Sequence, residues 1–308
     1  MSNDIINTNA GVRSKAIIYS LKIGMPSDRR SDKKESMILA EQRKAAHNVV
    51  TVSKSYFGEE PTYKAIRNVY AETRAFLKAN SLPWGDNKQR IVLKSKWASF
   101  ENGINELEAK WKDALKKFYD DYDNIKYRAQ HSGRMSDLYN EEDFPSLDTL
   151  KKAFLWESAG ASIPDVNDFR VGLSADEEER FRILCENNYK KQIESTIEAS
   201  LEKVQATVSH LRDKMGSYGV DENGKVVGKF RNATVEAVEE VLDFVKAYNI
   251  TNNPELDKIC EEMKALVSYT PESLREDPAL REEVYEAATN ILHRVEGYGD
   301  VDNGSVQA

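Results

Sequence analysis

The chain has 308 residues, 40% of them hydrophobic and 31% charged, with a formal net charge of −8. That balance suits long helices that each bury one stripe. It argues against a free-standing nucleic-acid binder, whose affinity comes chiefly from neutralising phosphate with Lys and Arg. No apolar run approaches the roughly 20 residues that span a bilayer. The polar start MSNDIINTNAG has no apolar segment of the kind that directs secretion, so a soluble, cytoplasmic protein is expected. Cys185 and Cys260 have no second Cys or His at ligand spacing and read as small buried hydrophobes of a reducing compartment. The Asn232, Asn249 and Asn303 sequons are chance matches without a secretory route.

In chain order, residues 1–12 read as a disordered N-terminus, and 13–96 as a strand followed by helices. KAIIYSLKIG, 15–24, alternates with a period of two and is the only clear strand of the first half. MPSDRRSDKK follows as a basic turn, where Arg29, Arg30, Lys33 and Lys34 are either a solvated loop or a phosphate-contacting patch. Residues 37–57 read as a helix ending at Gly58, and a second helix starts after Pro61. Pro83, Trp84 and Gly85 lie in a loop.

Trp97, Phe100, Ile104, Leu107, Trp111, Ala114, Phe118, Tyr122 and Ile125 step by three and four, which predicts one long helix with a narrow aromatic seam. Acidic neighbours argue against those rings as a base-stacking platform. Residues 133–173 read as an irregular insertion containing a short helix, 147–156. Ser174-Ala-Asp-Glu177 is a capping box. It opens a second seam through Phe181, Leu184, Ile193, Ile197, Leu201, Val204, Val208, Leu211 and Met215, whose later part again steps by four and three. The two seams predict a long antiparallel, coiled-coil-like hairpin over 97–216, and such a seam can equally pair between chains. Residues 217–297 read as a β-hairpin or loop followed by helices starting at Asn253-Pro254, Thr270-Pro271 and Asp277-Pro278. A polar tail, 298–308, is expected to be disordered. The fold class is therefore mainly α with a small β element.

Gly219-Val-Asp-Glu-Asn-Gly224-Lys225 imitates a phosphate-binding loop. Such a loop needs a strand leading in, a helix starting at the lysine, and a Ser or Thr next. Here a helix leads in, Val226 takes the hydroxyl position, and Asn223-Gly224 is turn chemistry. No cofactor is expected. The four histidines are far apart, no Gly-x-Ser-x-Gly elbow occurs, and acid runs such as Glu141-Glu142-Asp143 are weak evidence in a chain with 52 carboxylates. No enzyme is read from these residues. The unusual features are loop motifs: Leu82-Pro83-Trp84 with Arg90, Asp143-Phe144-Pro145, and Asp168-Phe169-Arg170-Val171. They read either as plugs beside the long helices or as a partner surface anchored by Trp84, Arg90, Phe144, Phe169 and Arg170.

The order Phe57-Gly58, Leu82-Pro83-Trp84, Arg90, Asp143-Phe144-Pro145-Ser146 and Asp168-Phe169-Arg170-Val171, with PESLREDPALREEVYEAATNIL near the end, resembles a phage and prophage family. That family is a domain of unknown function, number three-one-five-zero, and the resemblance covers about residues 15–293. Its genes often lie near those of a MoxR-type AAA+ ATPase and a von Willebrand A-domain protein. The resemblance implies a phage accessory protein in an infected bacterial cell, and carries over no catalytic residue. Two expectations follow: a non-enzymatic adaptor that binds itself or the AAA+ ATPase, or a DNA-associated protein with Arg29, Arg30, Lys33, Lys34, Lys94 and Lys96 on one face.

Overall fold

A computed structural model describes residues 2–46, 48–85, 88–165, 174–220 and 225–303. The chain divides into two compact units, one of Met1–Ile18, Leu82–Lys94 and Ala161–Ala308, the other of Tyr19–Ser81 and Ser95–Gly160. Each is built from segments distant in sequence, where the sequence suggested consecutive blocks.

In the first unit, α6 (Ala175–Ser217) packs on α7 (Asn232–Tyr248) and α10 (Pro278–Asn303), and α8 (Pro254–Leu266) packs on both of those. The seam Leu201, Val204, Val208, Leu211 and Met215 is buried against Val238, Val245, Ile259, Met263, Val284 and Ile291. The three proline starts are helix starts. Asn253 accepts from the Glu255 and Leu256 amides, Thr270 from Ser273 at the head of α9 (Pro271–Glu276), and Asp277 from Ala279. The Asn-Gly stretch lies between β7 (Gly219–Val220) and β8 (Val226–Val227), which pair antiparallel; its turn residues, 221–224, fall outside the described residues. Beyond them Gly228 has φ +83°, and a Cβ there would come within 2.4 Å of the Ser217 carbonyl oxygen.

Residues 2–15 form a helix, α1 (Ser2–Lys15), where the sequence suggested disorder. Their polarity hides the reason: Val12 is buried, and Asn9 is buried and donates to the Pro164 carbonyl. At the other end α10 continues to Asn303.

In the second unit, α3 (Pro61–Asn80) packs along α4 (Trp97–His131). Gly103 allows the close approach, since a Cβ there would lie 2.4 Å from the Phe76 ring. Every seam residue from Phe100 to Ile125 is buried. The floor is aromatic: Phe118 meets Phe57 (5.4 Å between centroids), Tyr122 (5.6 Å) and Phe154 (5.8 Å). Each long seam is thus covered inside its own unit by shorter helices and loops.

Several strands are new relative to the sequence reading. The 37–57 helix is shorter: α2 (Lys33–Gln42) ends there, and β3 (Val52–Ser55) pairs antiparallel with β2 (Arg29–Asp32). The β-branched run Val49-Val50-Thr51-Val52 disfavours a continued helix and leads into β3 at Val52. β1 (Ala16–Gly24) is the expected strand, and it belongs to a four-stranded sheet in the order β4 (Leu82–Pro83), β5 (Arg90–Leu93), β1, β6 (Leu155–Ala161). β6 falls where an irregular insertion was expected; α5 (Leu147–Ala153) stops at Phe154 before it.

Phe118→Ala is expected to cost about 3–5 kcal/mol in urea unfolding. Gly228→Ala should cost more than about 1 kcal/mol, because both the positive φ and the Ser217 carbonyl oppose a side chain.

Candidate functional site

The loop motifs were the first candidates, and the structure uses two of them as packing. Trp84 is 1% exposed. Its amide donates to the Gln89 carbonyl, its ring meets Tyr189 edge-on at 5.9 Å, and the preceding Pro83 carbonyl accepts from Thr196 Oγ1. Arg90 is half-buried on β5, paired across the strands with Pro83. Phe144 is 7% exposed, between Tyr56 (5.3 Å) and Tyr139 (5.7 Å), and the Pro145 carbonyl accepts from Tyr122 Oη at 2.8 Å. Trp84 and Phe144 are therefore not exposed partner anchors: a ring that fills a gap beside a long helix is unavailable to another chain. Phe169 and Arg170 lie outside the described residues.

The basic turn, by contrast, is an ordered module. β2 and β3 pair Arg29 with Ser55, Arg30 with Lys54, Ser31 with Ser53 and Asp32 with Val52. Asp32 ends β2 and caps α2, its Oδ1 accepting from the Glu35 amide. Ser36 joins helix to hairpin: its hydroxyl donates to the Asp32 carbonyl (2.5 Å) and accepts from the Val52 amide (2.9 Å). Ser36 and Ala40, one helical turn apart, are the buried residues of α2.

An ion triad fixes the module to the Asp143-Phe144-Pro145 turn. Lys54 Nζ lies 2.9 Å from Asp32 Oδ2 and 2.5 Å from Asp143 Oδ2, and donates to the Leu138 carbonyl at 3.2 Å. The Asp143 approach is a close ion contact without hydrogen-bond alignment. All three side chains are at most 15% exposed. The hydrogen bond from Lys54 holds the Asp32 carboxyl below the usual range, helped by the Glu35 amide. Burial works against the charge on Lys54, but the two carboxylates outweigh it and its pKa is raised. Arg30 donates to the Glu142 carbonyl and lies 3.9 Å from Asp143.

What remains outward is basic and apolar together. Arg29, Lys33, Lys34, Arg43 and Lys44 are exposed, and Lys44 takes a positive φ of 53°. Beside them Met37 is 50% exposed, Ile38 38% and Val49 72%. Residues 29–55 carry seven Lys and Arg against three Asp and Glu, in a chain of net charge −8. The exposed apolar residues of α2 were missed because the 37–57 window read as one helix with an unspecified buried stripe. The Val-Val-Thr-Val run was the signal for the hairpin.

Lys94 belongs to the first unit, where it donates to the Arg13 carbonyl at 2.9 Å, and Lys96 is exposed at the head of α4. Among the described residues no three His, Cys, Asp or Glu side chains are placed to hold a metal ion, and no helix is long and apolar enough to cross a membrane. No protein-family model, curated protein or solved structure matches the chain, so the phage-family resemblance rests on its motifs.

Replacing Lys54 with Met strands two facing carboxylates and should cost about 3 kcal/mol at pH 7. Because the folded Asp32 pKa is depressed, its stabilisation is fully present above the unfolded carboxylate pKa and is lost as pH falls through the folded value. Wild type should therefore lose stability on acidification below about pH 4, whereas the Lys54→Met variant should gain relative to it. Chemical unfolding at several pH values reads both.

Proposed function

We propose that this chain is a non-enzymatic phage accessory protein acting through protein–protein contacts, with the exposed surface of the β2–α2–β3 module as its docking surface. One observation carries the reading: exposed apolar side chains and exposed cations coincide on a module that hydrogen bonds and a buried ion triad hold in shape. A surface fixed before binding loses little entropy on association. Cations beside Met37, Ile38 and Val49 suit an acidic protein surface with apolar recesses. The family resemblance supplies a phage-encoded AAA+ ATPase as that partner and the cytoplasm of the infected host as the setting.

A second reading, a DNA-associated protein, is favoured by the local basic balance. Glu35 and Glu41 on the same helix weigh against it, as do apolar side chains that a phosphate backbone does not use.

Light scattering of the chain mixed with the AAA+ ATPase should show a complex. The K33E/K34E variant, unchanged in thermal stability, should bind at least about tenfold more weakly. Absence of a wild-type complex would remove the reading; DNA binding that falls steeply with salt would favour the second.

A further inference from the structure

A different surface bears on self-association. Ten large hydrophobic residues are conspicuously exposed among the described residues, and three of them, Phe181, Ile183 and Leu184, fall within four positions of α6. No described side chain of α6 before Tyr189 is buried. Phe181 and Leu184, which the sequence placed in the buried seam, are exposed together with Ile183, and so short a stretch of helix has little stability of its own in water.

The exposed residues follow a seam. Asp176, Arg180, Ile183, Asn187 and Lys190 step by four and three, and Glu177, Leu184 and Lys191 lie beside them on the same side. Tyr189, Thr196 and Ser200 mark the opposite, buried side. The ion pairs of this stretch, Arg182 with Glu179 (2.5 Å) and Glu186 (2.7 Å), use none of the seam residues. Among the described residues Asp176, Lys190 and Lys191 make no ion pair.

The charges on this seam are complementary to their own reverse. Turned end for end about the Ile183–Leu184 bond, the segment sets Asp176 against Lys191, Glu177 against Lys190, Arg180 against Asn187, and Ile183 against Leu184. We infer that the first turns of α6 pair antiparallel with those of a second copy of this chain, Ile183 and Leu184 at the centre and an acid–base pair at each end. A two-fold dimer presents the same patch on both subunits, and a sequence that matches its own reversal is what such an interface needs. Contact over roughly four turns buries well under the ~1,200 Å² of stable interfaces, so the dimer is weak, with a Kd of ~10–100 μM, and sensitive to salt.

This interface is independent of the module proposed for partner docking. Two contact surfaces on one chain would let a dimer engage a multi-subunit partner at two points.

Sedimentation equilibrium at about 100 μM protein and low salt tests it, in the concentration range expected for so small an interface. Wild type should be a reversible dimer, and I183D/L184D a monomer with unchanged helicity. D176K alone and K191E alone should each dissociate at least about tenfold more readily. Mixed one to one, those two variants should recover wild-type affinity as a heterodimer, because each reversed end then meets an opposite charge. D176K leaves the Ser174–Glu177 capping box intact. A wild-type monomer under these conditions, a dimer indifferent to I183D/L184D, or a mixture that fails to recover would overturn the inference. K33E/K34E should leave the dimer intact, so loss of partner binding and loss of dimerisation are separable results.

Discussion

A helix can bury only one stripe of its surface, and the two longest helices here have long stripes to cover. α4 has 35 residues and α6 has 43. An exposed aromatic or aliphatic stripe on either would be unfavourable by about 25 cal/mol for each Å² left in water. Most of the remaining chain serves as cover. In one unit α3 and the rings of Phe57, Phe144 and Phe154 close over α4; in the other α7, α10 and the Trp84 turn close over α6. The Trp84 and Phe144 loops, which stand out in sequence, are therefore consumed by packing. Their Trp and Phe are distinctive because few side chains fill such gaps.

The same constraint locates the surfaces left over. Cover on α6 begins at Tyr189, and Ile183 and Leu184 lie before it. The β2–α2–β3 module buries little of its helix beyond Ser36 and Ala40, and is held instead by hydrogen bonds and the Lys54 triad. Buried ion pairs are weak sources of stability but good at fixing one arrangement, since any other leaves a charge unpaired. Asp143 therefore looks like part of a functional motif in sequence, while its role in the fold is to hold the basic module in place.

The long helices, their seams, the proline starts and the first strand were legible in the sequence because each is a local signal: a period, a cap or a fixed φ. The seam of α4 matched residue by residue from Phe100 to Ile125. What was not legible depends on partners distant in the chain. β4 is too short to announce itself, and β6, LWESAGA, has no β-branched residue. α1 is polar, and only Val12 and the Asn9 contact to Pro164 show why it is ordered. The interleaving of the two units has no local signature at all. Among site residues, the cations at 29, 33 and 34 were legible as a basic cluster. The apolar neighbours Met37, Ile38 and Val49 were not, because exposure of an apolar side chain is set by what fails to pack on it.

The central claim is that this molecule works through surfaces its own packing leaves uncovered. Lysine cross-linking in the cells that produce it, read by mass spectrometry, tests that most directly. Links to other chains should originate at Lys33, Lys34 and Lys44 and at Lys190 and Lys191. Intermolecular links concentrated elsewhere, with those five lysines silent, would contradict the account.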